Sequence, residues 1–354
     1  MPDSPRARAD LAAVPAYQAG RSAPPGAVKL SSNENPFPPL PGVQAAIADA
    51  AASVNRYPDF GSSRLLAALG QHLGIDTDHV AVGTGSVAVL AQVMNAMAGA
   101  GDEIVIPWRS FEAYPILATL AGASLVRVAL ASDGTHDLDA MADAVTDRTR
   151  LVMVCTPNNP TGPAVRRDHL EAFLDRVPQD VLVAIDEAYV EFVRDSAAPD
   201  ALDLALSRSN VIVLRTFSKA YGLAGVRVGY AIGPKTVISE LRKAQLPFGV
   251  TAMAEQAAIA SLAGERELLR RVNVLALERS RVQSAIRAMD FEIPDAQGNF
   301  VWLPLADRAD AFAVATAEAG VVVRPFSGEG VRVTVGEAAA NDRWLAVLRD
   351  FLRL

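Results

Sequence analysis

Short apolar runs alternate with stretches of helical period through the middle of this 354-residue chain. Val80–Gly83, Glu103–Pro107, Ser124–Val128, Leu151–Cys155, Val181–Ile185, Val211–Leu214 and Gly229–Ile232 read as strands. Between them, Ser86–Ala98, Ala113–Ala121 and Arg167–Val177 carry helical spacing. The strands are apolar throughout and lack the alternation of a half-solvated sheet, so both faces must be covered. That pattern predicts an α/β fold of three layers around a mostly parallel central sheet. In such sheets ligands sit where the carboxyl ends of the strands meet their loops.

The flanks differ. Residues 1–42 are rich in Pro, Ser and Asn and predict an N-terminal arm with little helix or strand of its own, which must lie on another surface. Residues 43–247 form the expected large domain, entered through helices at Gln44–Val54 and Ser63–Leu73. Residues 248–354 predict a smaller α+β domain. Its long helices are Thr251–Leu262 and Arg266–Met289, the second crossing between domains; its short strands are Phe291–Pro294, Asn299–Pro304, Val321–Arg324 and Gly330–Val335.

Composition removes several function classes. The net charge is −7 with no basic patch among aromatics, which argues against nucleic acid. Cys155 is the only cysteine, so an intrachain disulfide and a Cys-type metal cluster are excluded, and four scattered histidines make no metal site. Ala81–Gly101 carries no charge but is broken by glycines, Gln92 and Asn95, so a buried helix is expected there rather than a membrane span. The first residues (Asp3, Arg6, Arg8, Asp10) offer no apolar leader core, and a cytoplasmic protein is expected.

The candidate chemistry gathers at strand ends. Lys219 stands beside Ser218 in Arg215–Tyr230 (RTFSKAYGLAGVRVGY), where partial burial would make its amine neutral and nucleophilic. Arg227 can offer a fork to a phosphate. Gly83–Ser86 (GTGS) is either a simple turn or an anion cradle at a helix N-terminus. Asp186 is either a helix cap or the partner of a protonated ring nitrogen, with Tyr189 and Asn159 as donors to a phenolic oxygen. Phe111 is core or a ring-stacking face. Arg332, among valines in VRVTV, faces solvent or clamps a carboxylate. Together these are the parts that a pyridoxal phosphate enzyme needs.

From about residue 10 onward the chain resembles the fold type I pyridoxal phosphate aminotransferases, in the histidinol-phosphate aminotransferase branch. SNENP (32–36), NRYPD (55–59), PNNPTG (157–162), DEAY (186–189) and the Lys219 segment carry the likeness. WRSFEAY (108–114), AYVEFV (188–193) and NFVWLP (299–304) bring it nearest to the actinobacterial aromatic aminotransferases. The resemblance implies an aspartate aminotransferase-like fold and transamination of an aromatic amino acid (phenylalanine, tyrosine or tryptophan) with 2-oxoglutarate. The alternative is histidinol-phosphate aminotransferase activity. It implies that Lys219 bonds the cofactor and shuttles a proton. Asp186 would pair with the ring nitrogen, Asn159 and Tyr189 would contact its phenolic oxygen, and Phe111 would stack on the ring. Gly85, Ser86, Ser218 and Arg227 would hold the phosphate, as would Tyr57 of a second subunit in an obligatory homodimer. Arg332, Asn33, Asn159 and Tyr17 would bind substrate. Val87 replaces an acidic residue common among relatives, and Gly298 stands where close relatives often have alanine. Tyr17, Phe37, Trp108, Tyr114, Phe248 and Trp302 are candidates for an aromatic slot. A decarboxylase on the same fold, or a ligand sensor that kept it, would be told apart by carbon dioxide release and by the intact Lys219.

Overall fold

The computed structural model describes residues 8–12, 14, 16–17 and 20–353; Asp3 and Arg6 lie outside them. The arm contributes one short strand, β1 (Val28–Lys29). Seven strands then build the central sheet: β2 (Val80–Gly83), β3 (Glu103–Trp108), β4 (Ser124–Ala129), β5 (Thr149–Cys155), β6 (Leu182–Asp186), β7 (Val211–Thr216) and β8 (Gly229–Ile232). Their order is β2-β8-β7-β6-β5-β3-β4, with β8 antiparallel to both neighbours and the other pairs parallel. Successive side chains feed opposite cores. Leu151 and Met153 pack with Ile104, Leu90 and Tyr114 on one face. Val152 and Val154 pack with Val105, Leu170 and Phe173 on the other. Two apolar faces explain why these strands read as unbroken apolar runs.

A second, antiparallel sheet has the order β11-β12-β9, built from β9 (Phe300–Leu303), β11 (Arg324–Phe326) and β12 (Gly330–Thr334). Between β9 and β11 the chain makes β10 (Val321–Val322), which pairs in parallel with β1 of the arm. The arm thus finds its surface by strand addition, using two residues too few to show a period. The helix Ala252–Ala263 shares a core with the helices Pro41–Ala51 and Ser63–Leu73. In the long helix Glu265–Arg287, Leu268, Val272 and Leu275 join that core, while Val282 and Ile286 join the core of the antiparallel sheet.

Among the described residues, the short helix Ala9–Ala12 of the arm and three further helices have no counterpart in the sequence pattern. Leu138–Asp143 and Leu202–Ser207 span 6 residues each, below two turns of apolar period. Lys235–Lys243 buries only Ile238 and Leu241. Conversely, Phe291–Pro294 makes no strand; Ile293 inserts into the core from an irregular segment.

Candidate active site

The carboxyl ends of β2, β3, β5, β6 and β7 deliver Ser86, Phe111, Asn159, Asp186, Ser218 and Lys219 to one cavity. Tyr17, Tyr189, Arg227 and Arg332 complete its lining. Of the other residues singled out in the sequence, Gly85 lies behind Ser86, and Asn33 is buried behind Tyr189. Tyr57 is 83% exposed on the surface and stacks against Phe248 at 4.7 Å.

Lys219 is half-buried, and its Nζ donates to the Ser32 carbonyl of the arm at 3.1 Å. Desolvation, then the nearby Arg332 and Arg227 charges, lowers its pKa to about 7, although Glu34 opposes the shift. Asp186 is buried at the end of β6, next to Cys155 in register. Burial raises its pKa to about 6, against the hydrogen bond from Tyr114. The Tyr114 hydroxyl donates to Asp186 Oδ2 at 2.8 Å. Near neutrality the Asp186 carboxyl is therefore mostly ionised and the Lys219 amine is partly neutral.

At another wall the chain turns from β2 into the helix Ser86–Met97 through Gly85, whose φ is +78°. A Cβ at Gly85 would collide with the Arg227 guanidinium, and one at Gly229 with the Ser86 backbone nitrogen. The two glycines thus let a cation and a helix N-terminus close on one spot. Arg227 itself has φ +65° and donates to Ser218 Oγ at 3.4 Å.

Arg332 is buried on β12. It donates to Asn159 Oδ1 at 2.5 Å and to the Ser31 carbonyl at 2.8 Å. Its Nε has no hydrogen-bond partner among the described residues. Such a buried donor is costly unless a ligand meets it. Arg324 lies opposite Arg332 in the β11–β12 register, and its guanidinium reaches Glu112 at 3.0 Å. Arg324, Glu112 and Phe326 all line the cavity, and none stood out in the sequence.

Among the six aromatics expected to form a slot, Tyr17 alone lines the cavity, joined by Phe111, Tyr189 and Phe326. Tyr114 is fully buried beneath Phe111 at 5.6 Å, and Trp302 packs on Phe326 at 5.3 Å, so both support the wall from behind. Phe248 faces Tyr57 and Phe60 on the surface.

These donors fit pyridoxal phosphate. The glycine-permitted cradle suits a phosphate, the buried carboxylate suits a protonated ring nitrogen, and the desolvated amine suits an aldehyde. The sequence model for "Aminotransferase class I and II" matches residues 25–348. The chain belongs to this family. Its enzymes depend on pyridoxal 5′-phosphate. This aminotransferase is 57% identical over 351 residues to a Streptomyces coelicolor protein named an aromatic amino acid aminotransferase, with 98% of each chain covered. A Rhodococcus jostii protein of the same name is 54% identical, with 97% of this chain and 95% of that one covered. The fold matches histidinol-phosphate aminotransferase from Sinorhizobium meliloti, solved with pyridoxal-5′-phosphate. That match has a TM-score of 0.88 and 28% identity, and covers 100% of this chain and 99% of that one. Among the described residues, no helix of the aminotransferase is long and apolar enough to cross a membrane.

Proposed function

We propose that this aminotransferase moves the amino group of an aromatic L-amino acid to 2-oxoglutarate, giving the aryl 2-oxo acid and glutamate. The observation that carries the substrate class is the cavity lining: an arginine clamp with an unmet donor, Arg332, shares the cavity with the rings of Tyr17, Phe111 and Phe326. The names of relatives 51–57% identical over nearly the whole chain support the same reading. Histidinol phosphate fits less well, because it has no α-carboxylate and its phosphate needs a second cationic site, whereas Arg324 is already held by Glu112 at 3.0 Å. The single far carboxylate of 2-oxoglutarate can instead exchange with Glu112 on Arg324.

When bound, pyridoxal phosphate supplies an aldehyde to carry the amino group and a ring to store the electron pair freed at the substrate Cα. In this reading the protein does the rest. Ser86, through its backbone N–H, holds the phosphate together with Ser218 and Arg227, and Gly85 admits them. Asp186 keeps a proton on the ring nitrogen, and Tyr114 keeps Asp186 in place. Asn159 and Tyr189 donate to the phenolic oxygen, and Phe111 covers the ring. Arg332 takes the substrate α-carboxylate, Tyr17 closes over the side chain, and the Lys219 amine takes the Cα proton and returns it.

The test is a matched comparison of kcat/KM with 2-oxoglutarate as acceptor. Phenylalanine and tyrosine should exceed histidinol phosphate by at least about tenfold, as expected when one ligand buries its far end and the other leaves a charge opposed. The reverse order would reject the aromatic assignment.

Homodimerisation belongs to the same proposal, with Tyr57 reaching the partner's phosphate. Its support is the exposed aromatic group of Tyr57, Phe60 and Phe248, whose rings contact one another on the surface. Tyr57→Phe should weaken cofactor binding about tenfold, the value of one good hydrogen bond. Mixed dimers of Tyr57→Phe with Lys219→Ala should then regain one site of wild-type affinity, since each chain supplies what the other lacks. Cofactor affinity that stays at the Tyr57→Phe level in the mixed dimer would show that the site is not shared.

A further inference from the structure

Asn33 was expected to touch substrate, yet its side chain is wholly buried and spent on protein partners. Its backbone sits at φ +53°, a left-handed conformation that asparagine tolerates better than most residues. The backbone N–H of Asn33 donates to Thr334 Oγ1 at 2.8 Å, and the Thr334 hydroxyl lies 3.1 Å from Asn33 Oδ1. Asn33 Nδ2 then donates to the Tyr189 hydroxyl oxygen at 2.9 Å. The Asn299 amide fixes the Asn33 carbonyl from the other side at 3.1 Å.

The hydrogen bonds give this chain a direction. Thr334 Oγ1 accepts from the Asn33 backbone N–H and donates its own proton to Asn33 Oδ1. That fixes the amide with its NH₂ towards Tyr189, and makes the tyrosine oxygen an acceptor. The one proton of Tyr189 must then find a partner elsewhere, and Tyr189 lines the cavity. We propose that Thr334 is a positioning residue: acting through Asn33, it aims the hydroxyl proton of Tyr189 into the cavity, at the cofactor's phenolic oxygen. Burial keeps that hydroxyl protonated by raising its pKa, with the Asn33 hydrogen bond and Arg332 opposing. Thr334 stands two residues beyond Arg332 on β12 and points to the same face. One strand thereby sets both the carboxylate clamp and the polarity of Tyr189.

The inference rests on the cofactor reading of the site and is independent of which amino acid reacts. The experiment is a pH titration of the visible absorbance of cofactor-loaded protein, with cofactor Kd and Tm measured alongside. A hydroxyl donated to the phenolic oxygen favours its anionic form, so losing that donation raises the midpoint. Thr334→Val should raise it by about one pH unit and weaken cofactor binding about tenfold, as for one net hydrogen bond. Thr334→Ser, which keeps the hydroxyl, should restore both. In a Tyr189→Phe background Thr334→Val should add no further shift. A valine variant that lowers Tm but leaves midpoint and Kd within about twofold overturns the proposal, and so does an equal shift in the phenylalanine background. Should the valine variant not fold, Asn33→Asp carries the test: its carboxylate takes the tyrosine proton, and an unmoved midpoint overturns the proposal. Wild-type protein that gives no visible band with pyridoxal phosphate would instead reject the cofactor reading itself.

Discussion

Lys219→Ala is expected to lower transamination by about 10⁴-fold or more, the upper range for removing a positioned proton carrier, while cofactor still binds through its phosphate and ring contacts. The expectation follows from what surrounds the amine. Lys219 lines the cavity, where desolvation and the charges of Arg332 and Arg227 lower its pKa from 10.5 to about 7. An ordinary lysine at pH 7 is almost wholly charged and cannot attack an aldehyde or take a proton. Here the charged form is disfavoured in the folded state, so the reactive neutral form accumulates as pH rises through about 7. The rate at which cofactor-free wild type captures pyridoxal phosphate should therefore climb about tenfold per pH unit below 7 and level off above it. Retained steady turnover by Lys219→Ala would remove the lysine from the mechanism. A capture rate that keeps climbing to pH 10 would remove the argument from burial.

Asp186→Asn is expected to lower kcat by about 10²- to 10³-fold with a much smaller change in KM, the cost of unpairing a buried, hydrogen-bonded charge. The substitution keeps the shape of the side chain and one acceptor for Tyr114. It removes the negative charge that holds a proton on the ring nitrogen. The sign of the pH effect is also fixed. Burial raises the Asp186 pKa above its unfolded value to about 6, so in the cofactor-free protein the ionised form is the penalised one. A protonated ring nitrogen relieves that penalty. Cofactor affinity of the wild type should thus strengthen as pH rises through about 6, and the asparagine variant should lack the rise. Equal kcat for the two proteins would reject the ring-nitrogen role.

The strands and the main chemistry were legible because both are local. A buried parallel strand needs a continuous apolar run, and a ligand at its carboxyl end needs a glycine, a cap or a charge within a few residues. Lys219, Asp186, Asn159 and the Gly85-Ser86 turn all meet that condition, and the fold brings them to one cavity. Helices of six residues, and a strand of two, carry too little period to be read.

The roles that escaped sequence reasoning join residues across the chain. Tyr114 was a candidate for the aromatic slot, and its bond to Asp186 was not legible because that acceptor is 72 residues away. Asn33 was expected to bind substrate, and its bond to Tyr189 was not legible across 156 residues. Arg324 gains meaning from the antiparallel register that sets it opposite Arg332, and Glu112 from the ion pair that follows. The sequence by itself determined the reaction chemistry, because a nucleophile and its strand-end partners are encoded within short windows. The tertiary structure alone decided which rings face the substrate, which arginine is already neutralised and which way the Tyr189 proton points. Those properties belong to pairs of distant atoms, and hydrogen-bond polarity exists only once both partners are in place.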